Sequence, residues 1–154
     1  MVRVQAENFD PGVELDALLA GRTDIGASVS FVGHMRARNE DRDVETMTLE
    51  HYPGMAEKAL SAIEAEAHRR WPLQASTIIH RVGPLKPGDR IVLVITASAH
   101  RQAAFEAAEF LMDWLKTKAP FWKKESGPRG DSWVSSRSTD EDAAQRWTAS
   151  PKSK

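Results

Sequence analysis

Apolar and polar positions recur along this chain with two periods, one helical and one strand-like. In the stretch RQAAFEAAEFLMDWLKTKAP (101–120), apolar residues recur every three or four positions and predict an amphipathic helix with the stripe Ala104, Phe105, Ala108, Leu111, Met112 and Leu115. The acidic residues lie off this stripe: Glu106, Glu109 and Asp113. Because proline disfavours helical geometry at the residue before it, Pro120 predicts that the helix ends close to Lys118.

A second long helix is predicted from Met55 to about Arg70, between the turn Pro53-Gly54 and the break at Trp71-Pro72. Its apolar stripe is Met55, Ala59, Leu60, Ile63 and Ala67. Two short helices are predicted near the chain ends: residues 12–20, around Val13, Leu15, Leu18 and Leu19, and residues 140–147, capped by Asp140. Residues 148–154 are predicted to form a frayed, disordered tail.

Four stretches have strand character. Residues 27–32 predict a buried strand, and residues 76–82 and 90–97 predict two more. Residues 44–52 alternate as a half-buried strand does, with Met47, Leu49 and His51 on one side and Thr46, Thr48 and Glu50 on the other. The segment Lys86-Pro87-Gly88-Asp89 predicts a type II turn, and residues 33–43 predict a charged, arginine-rich loop. Helices and strands without regular βαβ alternation favour an α+β fold.

Length and composition predict one domain over residues 1–147, followed by the tail. The chain has 154 residues and 41% hydrophobic content, enough for a sizeable core. Its net charge of −1 provides no global basic field of the kind that nucleic-acid-binding proteins use. No apolar run is long enough for a membrane span, and the first residues lack a signal-peptide core, so we expect a cytoplasmic protein without membrane association.

The chain contains no cysteine, which excludes disulfides, zinc–thiolate sites and persulfide chemistry on this chain. The five histidines have no spacing typical of a metal site: His34, His51, His68, His80 and His100. His51 and His80 fall in predicted strands and are interpreted as core or sheet-surface residues. We therefore expect no metal and no cofactor.

Basic residues lie at both ends of the 101–118 helix. At its start, His100 and Arg101 would add donors to backbone N–H groups that already favour an anion. The alternative is that Arg101 is a solvated surface residue and His100 a hydrogen-bonding residue at a strand end. The two residues alone leave both interpretations open.

Four lysines follow within nine residues at the other end: Lys116, Lys118, Lys123 and Lys124. The helix dipole accounts for Lys116 and Lys118 whatever the function. Lys123 and Lys124 instead follow Phe121-Trp122, which suggests a segment anchored by its rings that presents amines at a fixed place. A lysine beside other cations and against apolar surface can act as a proton-transfer group or a nucleophile, because its pKa is lowered.

Five motifs, found between about residues 25 and 134, resemble those of the large, catalytic subunit of molybdopterin synthase. They are FVGHMRARN (31–39), LEHYPGMAEKAL (49–60), HRVGPLKPGD (80–89), SAHRQAAFEAAEFLMDWLKTKAPFWKKE (98–125) and GDSWV (130–134). The resemblance implies the α/β-hammerhead fold of that family, with a mixed or antiparallel sheet and two main helices.

The resemblance also implies a reaction. Members of the family convert a cyclic pyranopterin monophosphate into the dithiolene of molybdopterin, with sulfur from the C-terminal thiocarboxylate of a small ubiquitin-like subunit. A chain without cysteine fits this scheme, since its sulfur must arrive already activated. By motif position, Lys116 and Lys123 resemble the catalytic lysines. The implied substrate-binding set is His34, Met35, Arg36, His100, Arg101, Lys116, Lys123, Lys124 and Glu125. Without the resemblance, Arg36 would be interpreted as part of a solvated loop with Arg38 and Arg42.

The helix length predicts how the chain assembles. Arg101 and Lys116 are fifteen residues apart, about 22 Å along a helix, too far for both ends to hold one small ligand. A homodimer in which His100 and Arg101 of one copy face the lysines of the other resolves this, and two small subunits would complete a two-plus-two heterotetramer. An alternative function stays open: a non-catalytic module that binds a phosphorylated heterocycle or a ubiquitin-like tail. Such a module would tolerate arginine at positions 116 and 123, whereas amine chemistry needs lysine.

Overall fold

A computed structural model describes residues 1–39, 42–128, 130–134 and 138–148. The helices are α1 (Pro11–Leu19), α2 (Met55–Arg70), α3 (Arg101–Thr117) and α4 (Ser138–Gln145). The strands are β1 (Val2–Gln5), β2 (Ala27–His34), β3 (Arg38–Asn39), β4 (Arg42–Asp43), β5 (Thr46–His51), β6 (Leu73–Arg81), β7 (Gly83–Leu85), β8 (Arg90–Ser98), β9 (Phe121–Gly127) and β10 (Gly130–Val134).

The first sheet has the order β1-β6-β8-β2 and is covered on both faces. Strand β1 pairs parallel to β6, and the other pairs are antiparallel. On one face α2 and α3 pack on a core that includes Leu60, Ile78, Val94 and Leu111. On the other face, residues of α1 pack against a second cluster around Phe9, Ile79, Leu93 and Ile95. Because both faces are covered, six consecutive residues of β6 and seven of β8 are buried, and β8 is a nearly continuous apolar run.

The second sheet, with the order β10-β9-β5-β7, is antiparallel throughout. Its apolar side contributes Met47, Leu49 and Leu85 to a third cluster, together with Met35 and Val44. The alternation predicted for residues 44–52 is therefore confirmed. The positive φ of Gly88, +92°, also agrees with the predicted type II turn.

Most predicted elements are confirmed, and so is the α+β fold class with two main helices, α2 and α3. Strands β1, β7 and β10 have no predicted counterpart, and two further stretches differ from their predictions. The predicted loop 33–43 contains the end of β2 and the short antiparallel pair β3–β4, because two-residue strands have no detectable period. Residues 121–127 were predicted only to include a ring-anchored segment that presents Lys123 and Lys124, and they form strand β9, which pairs with β5 and β10.

The helix stripes are partly wrong. Phe105 is 62% exposed, and Met55 and Val13 are 56% and 62% exposed. In α3 the buried face is displaced from Phe105 because the helix packs against α2 as well as the sheet, which buries Ala103, Ala104, Ala107, Ala108, Phe110 and Leu111.

The predicted cap of the last helix is also wrong, since α4 begins at Ser138 and Asp140 lies in its first turn. Thr148 hydrogen-bonds back to the Gln145 carbonyl, and residues 149–154 of the predicted tail lie outside the described residues. The domain limits stay a prediction. None of the helices in the described ranges combines the length and apolarity needed to cross a membrane.

Candidate active site

Two lysines meet where the chain passes from α3 into β9. The helix cannot continue through Pro120, so the Lys118 N–H bonds the Trp114 carbonyl at 2.8 Å and the Phe121 N–H bonds the Ala119 carbonyl at 2.8 Å. This tight reversal brings Lys116, in the last turn of α3, and Lys123, the third residue of β9, close enough for their charges to interact.

The surroundings of Lys123 favour the neutral form of its amine. Its pKa is lowered from 10.5 to about 8, mainly because the amine is buried and secondly because the Lys116 ammonium is near. The carboxylates of Asp140 and Glu125 act in the opposite direction. Near neutral pH, Lys123 therefore has an appreciable neutral fraction and can take up a proton.

The alternation of side chains along β9 places the residues of FWKKE (121–125) on two opposite faces of the strand. Phe121, Lys123 and Glu125 share one face of β9, where Lys123 lies opposite Leu49 of β5 and Glu125 is only 6% exposed. Lys124 lies on the other face, 3.5 Å from the carboxylate of Asp131. The structure thus brings Glu125 to the side of the lysine pair and leaves Lys124 on the opposite side of the sheet.

A buried histidine next to the lysine pair was not among the predicted site residues. His80, at 6% exposure, stacks on Phe121 with ring centroids 3.9 Å apart and planes 10° apart. Its pKa is lowered from 6.5 to about 4, mainly by burial and also by the charges of Lys123, Lys116 and His51, while the backbone hydrogen bond at Arg81 acts in the opposite direction. The sequence gives one indication that His80 is buried: alternate residues of a strand share a face, so His80 lies on the same face of β6 as the core residue Ile78.

The segment that carries Arg36 adjoins the second sheet. Beyond the end of β2, the Met35 N–H bonds the Asp89 carbonyl at 2.9 Å, and the Gly88 N–H bonds the Met35 carbonyl at 2.8 Å. The Met35 side chain is buried in the cluster that includes Leu49, the register partner of Lys123. The side chains of His34 and Arg36 are exposed. The segment is therefore fixed by its backbone and by Met35, with Arg36 available to a ligand.

The start of α3 is held rigidly against the first sheet. The Gly26 N–H bonds the Ser98 carbonyl at 3.0 Å, and a Cβ on Gly26 would lie 2.1 Å from the Ala99 carbonyl oxygen, so only glycine fits. The Thr96 hydroxyl donates to the Ala104 carbonyl at 2.6 Å. The first turn of α3 contains no acidic residue, and His100 and Arg101 are exposed there. Free backbone N–H groups and a guanidinium at one place can bind an anion.

One copy of the chain does not bring all the basic residues together. The helix α3 separates Arg101 from Lys116 by about 22 Å, as its length predicts. Each end is therefore only a candidate partial site: His100 and Arg101, called the anion-binding set below, lie at the N-terminus of α3, and the lysine pair lies at its C-terminus. Across the ranges that the structure describes, no group of three or more histidine or acidic side chains is arranged to hold a metal ion.

Comparison with known proteins gives a consistent result. The sequence profile described as MoaE protein matches residues 4–118. A molybdopterin synthase catalytic subunit from Pseudomonas aeruginosa is 59% identical over 146 residues, 95% of this chain and 97% of that protein.

Solved structures agree with this. That of a molybdopterin biosynthesis MoaE protein from Burkholderia ambifaria has a TM-score of 0.82 at 51% identity, over 97% of this chain and 99% of that one. A solved protein–protein complex of subunits 1 and 2 of the molybdopterin-converting factor from Helicobacter pylori contains the same fold, with a TM-score of 0.72 at 19% identity over 89% of this chain and 92% of that one. Given the length of the family match and the identity to its members, the chain belongs to the MoaE family of molybdopterin synthase catalytic subunits.

Proposed function

We propose that this chain transfers sulfur from the C-terminal thiocarboxylate of a small ubiquitin-like subunit to cyclic pyranopterin monophosphate, forming the dithiolene of molybdopterin. The observation that carries the proposal is the Lys116–Lys123 pair, in which one amine has a pKa lowered to about 8. Family membership supports the reaction, and the complex of two subunits known for a relative supports a protein partner. A cytoplasmic location stays a prediction.

Each sulfur transfer can be written with balanced atoms. The thiocarboxylate sulfur displaces a hydroxyl from a substrate carbon, which forms a thioester between the two molecules; the hydroxyl takes up a proton from solvent and leaves as water. A second water then cleaves the acyl–sulfur bond, leaving a carboxylate on the small subunit and a thiol on the product. The neutral amine of Lys123 accepts the proton that the attacking water loses, and the ammonium of Lys116 stabilises the negative charge on the acyl oxygen.

The substrate phosphate is assigned to the anion-binding set, supplied by a second copy of the chain. In a twofold dimer whose axis is perpendicular to α3, the two α3 helices pack side by side and antiparallel, so that the N-terminus of one is level with the C-terminus of the other. His100 and Arg101 of one copy then face Lys116 and Lys123 of its partner.

Exposed aromatic rings support this dimer. Phe31, on the edge strand β2, is 39% exposed, and Phe105, on α3, is 62% exposed. Strand β2 and helix α3 are neighbours, so a second copy seated there would cover both rings. One small subunit on each copy gives the two-plus-two complex.

The test is incubation with pyranopterin monophosphate and a thiocarboxylated small subunit, followed by measurement of dithiolene product. Lys116→Ala and Lys123→Ala should each lower the rate by roughly 10²–10⁴-fold, as expected for loss of a proton-transfer or charge-stabilising group. Lys58→Ala, which removes an exposed lysine of α2, is the control for loss of charge. Near-normal rates in both site variants at saturating substrate and partner, with intact folding, would refute the catalytic assignment.

The alternative function, a binding module without chemistry, makes the opposite prediction for arginine. Lys116→Arg and Lys123→Arg keep both positive charges but cannot supply a neutral amine. A module that only binds a phosphorylated heterocycle or a ubiquitin-like tail would keep its affinity and its biological role in both variants. Loss of dithiolene formation with retained binding favours the enzyme.

A further inference from the structure

An aromatic residue with a fixed ring, Phe121, lies between the two lysines along the chain. Phe121 follows Lys116 by five residues and precedes Lys123 by two, at the point where the chain leaves α3 and starts β9. Its side chain is on the same face of β9 as Lys123 and packs against the core beneath α2 and α3. A change in the orientation of Phe121 would therefore move one amine relative to the other.

His80 fixes Phe121 from a central strand of the first sheet. Its ring is held in two ways: Nδ1 donates to the Arg81 carbonyl at 2.8 Å, and one face stacks on Phe121 at 3.9 Å and 10°. Because a carbonyl oxygen can only accept, the Nδ1 atom carries the proton and the neutral ring leaves Nε2 as an acceptor. Strand β6 pairs with β1 on one side and β8 on the other, so the ring stands on a rigid base.

Several charged or titratable groups surround this stack. Lys116 approaches from α3, Lys123 and Glu125 come from β9, His51 lies across β5, and Asp140 of α4 acts on Lys123. His51 also contacts Phe121, with ring centroids 6.3 Å apart. An uncharged, flat ring fits beside two ammonium groups, because it excludes water without adding a third positive charge.

We propose that His80 is a positioning residue for the lysine pair: through its stack on Phe121, it holds the Lys123 amine beside Lys116 and shielded from water. This deepens the proposed function and rests on it for the consequence in catalysis, but the effect on the amine itself is measurable without any reaction. The lowered pKa of Lys123 is consistent with such a dry environment.

The test compares two apolar replacements that differ in one property. His80→Phe keeps a flat ring that can stack on Phe121, whereas His80→Leu has comparable bulk but no ring. Both lose the hydrogen bond to Arg81, so a general loss of stability affects both alike. The readouts are the Lys123 pKa, by ¹³C NMR of reductively methylated lysines with Lys123→Arg to assign the signal, and the pH profile of kcat for dithiolene formation.

We expect His80→Phe to leave the Lys123 pKa within a few tenths of a unit of the wild-type value and kcat within about twofold. In His80→Leu, water should reach the amine and its pKa should rise by at least about one unit, which reduces the neutral fraction at pH 7 by about tenfold, and kcat should fall to match. An unchanged Lys123 pKa in His80→Leu, or equal shifts in both variants, would overturn the proposal. A shifted pKa with unchanged kcat would support positioning by His80 while contradicting the role of Lys123 in catalysis.

Phe121→Leu provides the second approach if His80→Leu does not fold. Phe121 is only half-buried, so its replacement removes the same stack at a lower cost to stability. The Lys123 pKa should rise as in His80→Leu, and the double variant should show no further rise, because both changes remove one interaction. A Lys123 pKa at the wild-type value in Phe121→Leu would also overturn the proposal.

Discussion

Replacing Lys123 with arginine tests whether a neutral amine is needed at this position. The substitution keeps a cation beside Lys116 but removes the titration, since a guanidinium stays protonated at any pH the enzyme tolerates. With a pKa lowered to about 8, roughly a tenth of the Lys123 amines are neutral at pH 7, against about 0.03% for a lysine at 10.5. The environment of Lys123 thus increases the neutral fraction by about 300-fold.

The assay is the initial rate of dithiolene formation from pH 6 to 9 with saturating substrate and thiocarboxylated partner. For the wild type, the rate should rise about tenfold per unit below pH 7, about fivefold between pH 7 and 8, and level off above that. Lys123→Arg should be roughly 10²–10⁴-fold slower at pH 8, without the rise, while Lys58→Arg should follow the wild type. A wild-type rate that is flat over this range, or an arginine variant above half the wild-type rate, would show that catalysis does not need a neutral amine at Lys123.

Three further outcomes are expected. Arg36→Ala, His100→Ala and Arg101→Ala should each weaken substrate binding by roughly 1.5–3 kcal/mol, measured by calorimetry. Equal losses for an analogue without the phosphate would contradict a role of these three residues in binding the phosphate. The pKa of His80 is lowered from 6.5 to about 4, so between these pH values the unfolded chain binds a proton that the folded chain does not. The free energy of unfolding should therefore fall as the pH falls through this window, by on the order of 3 kcal/mol in total. Denaturant titrations at pH 7 and 4.5 should show this loss in the wild type and not in His80→Phe, and equal losses in both would contradict it. Phe105→Glu should produce a monomer in sedimentation and abolish activity, whereas Val13→Glu, at an equally exposed position on α1, should leave the dimer intact; a dimeric Phe105→Glu variant would rule out this interface.

Elements with a regular spacing of apolar residues over their whole length could be predicted from the sequence. Helix α2 and strand β5 follow directly from their apolar spacing, and Pro120 correctly indicates where α3 ends. Strand β9 was missed because its alternation, Phe121, Lys123 and Glu125, places two charged residues on the inner face. That pattern is unfavourable for an ordinary core, and here it brings Lys123 and Glu125 into the candidate site.

The features that could not be predicted from the sequence depend on contacts between residues that are far apart in the chain. Strand β6, which carries His80, lies about forty residues before Phe121, and no local rule predicts that the two rings stack. The exposure of Phe105 depends in the same way on α2 packing against α3, which turns the buried face of α3 towards its alanines. By contrast, the separation of Arg101 from Lys116 follows from helix length alone, and the site shared between two copies, which was inferred from it, stays a prediction.

The shared site is tested by mixing two variants at a substrate concentration low enough that neither variant alone is active. An Arg101→Ala chain and a Lys116→Ala chain, allowed to exchange subunits, form hybrids in which one of the two pockets contains every basic residue and the other lacks both. Dithiolene formation should therefore recover to about half the wild-type rate per hybrid dimer, and it should disappear again when the dimers are separated by dilution. If the mixture stays inactive although mass spectrometry shows that the subunits have exchanged, each site is contained within one chain and the account of the active site is wrong.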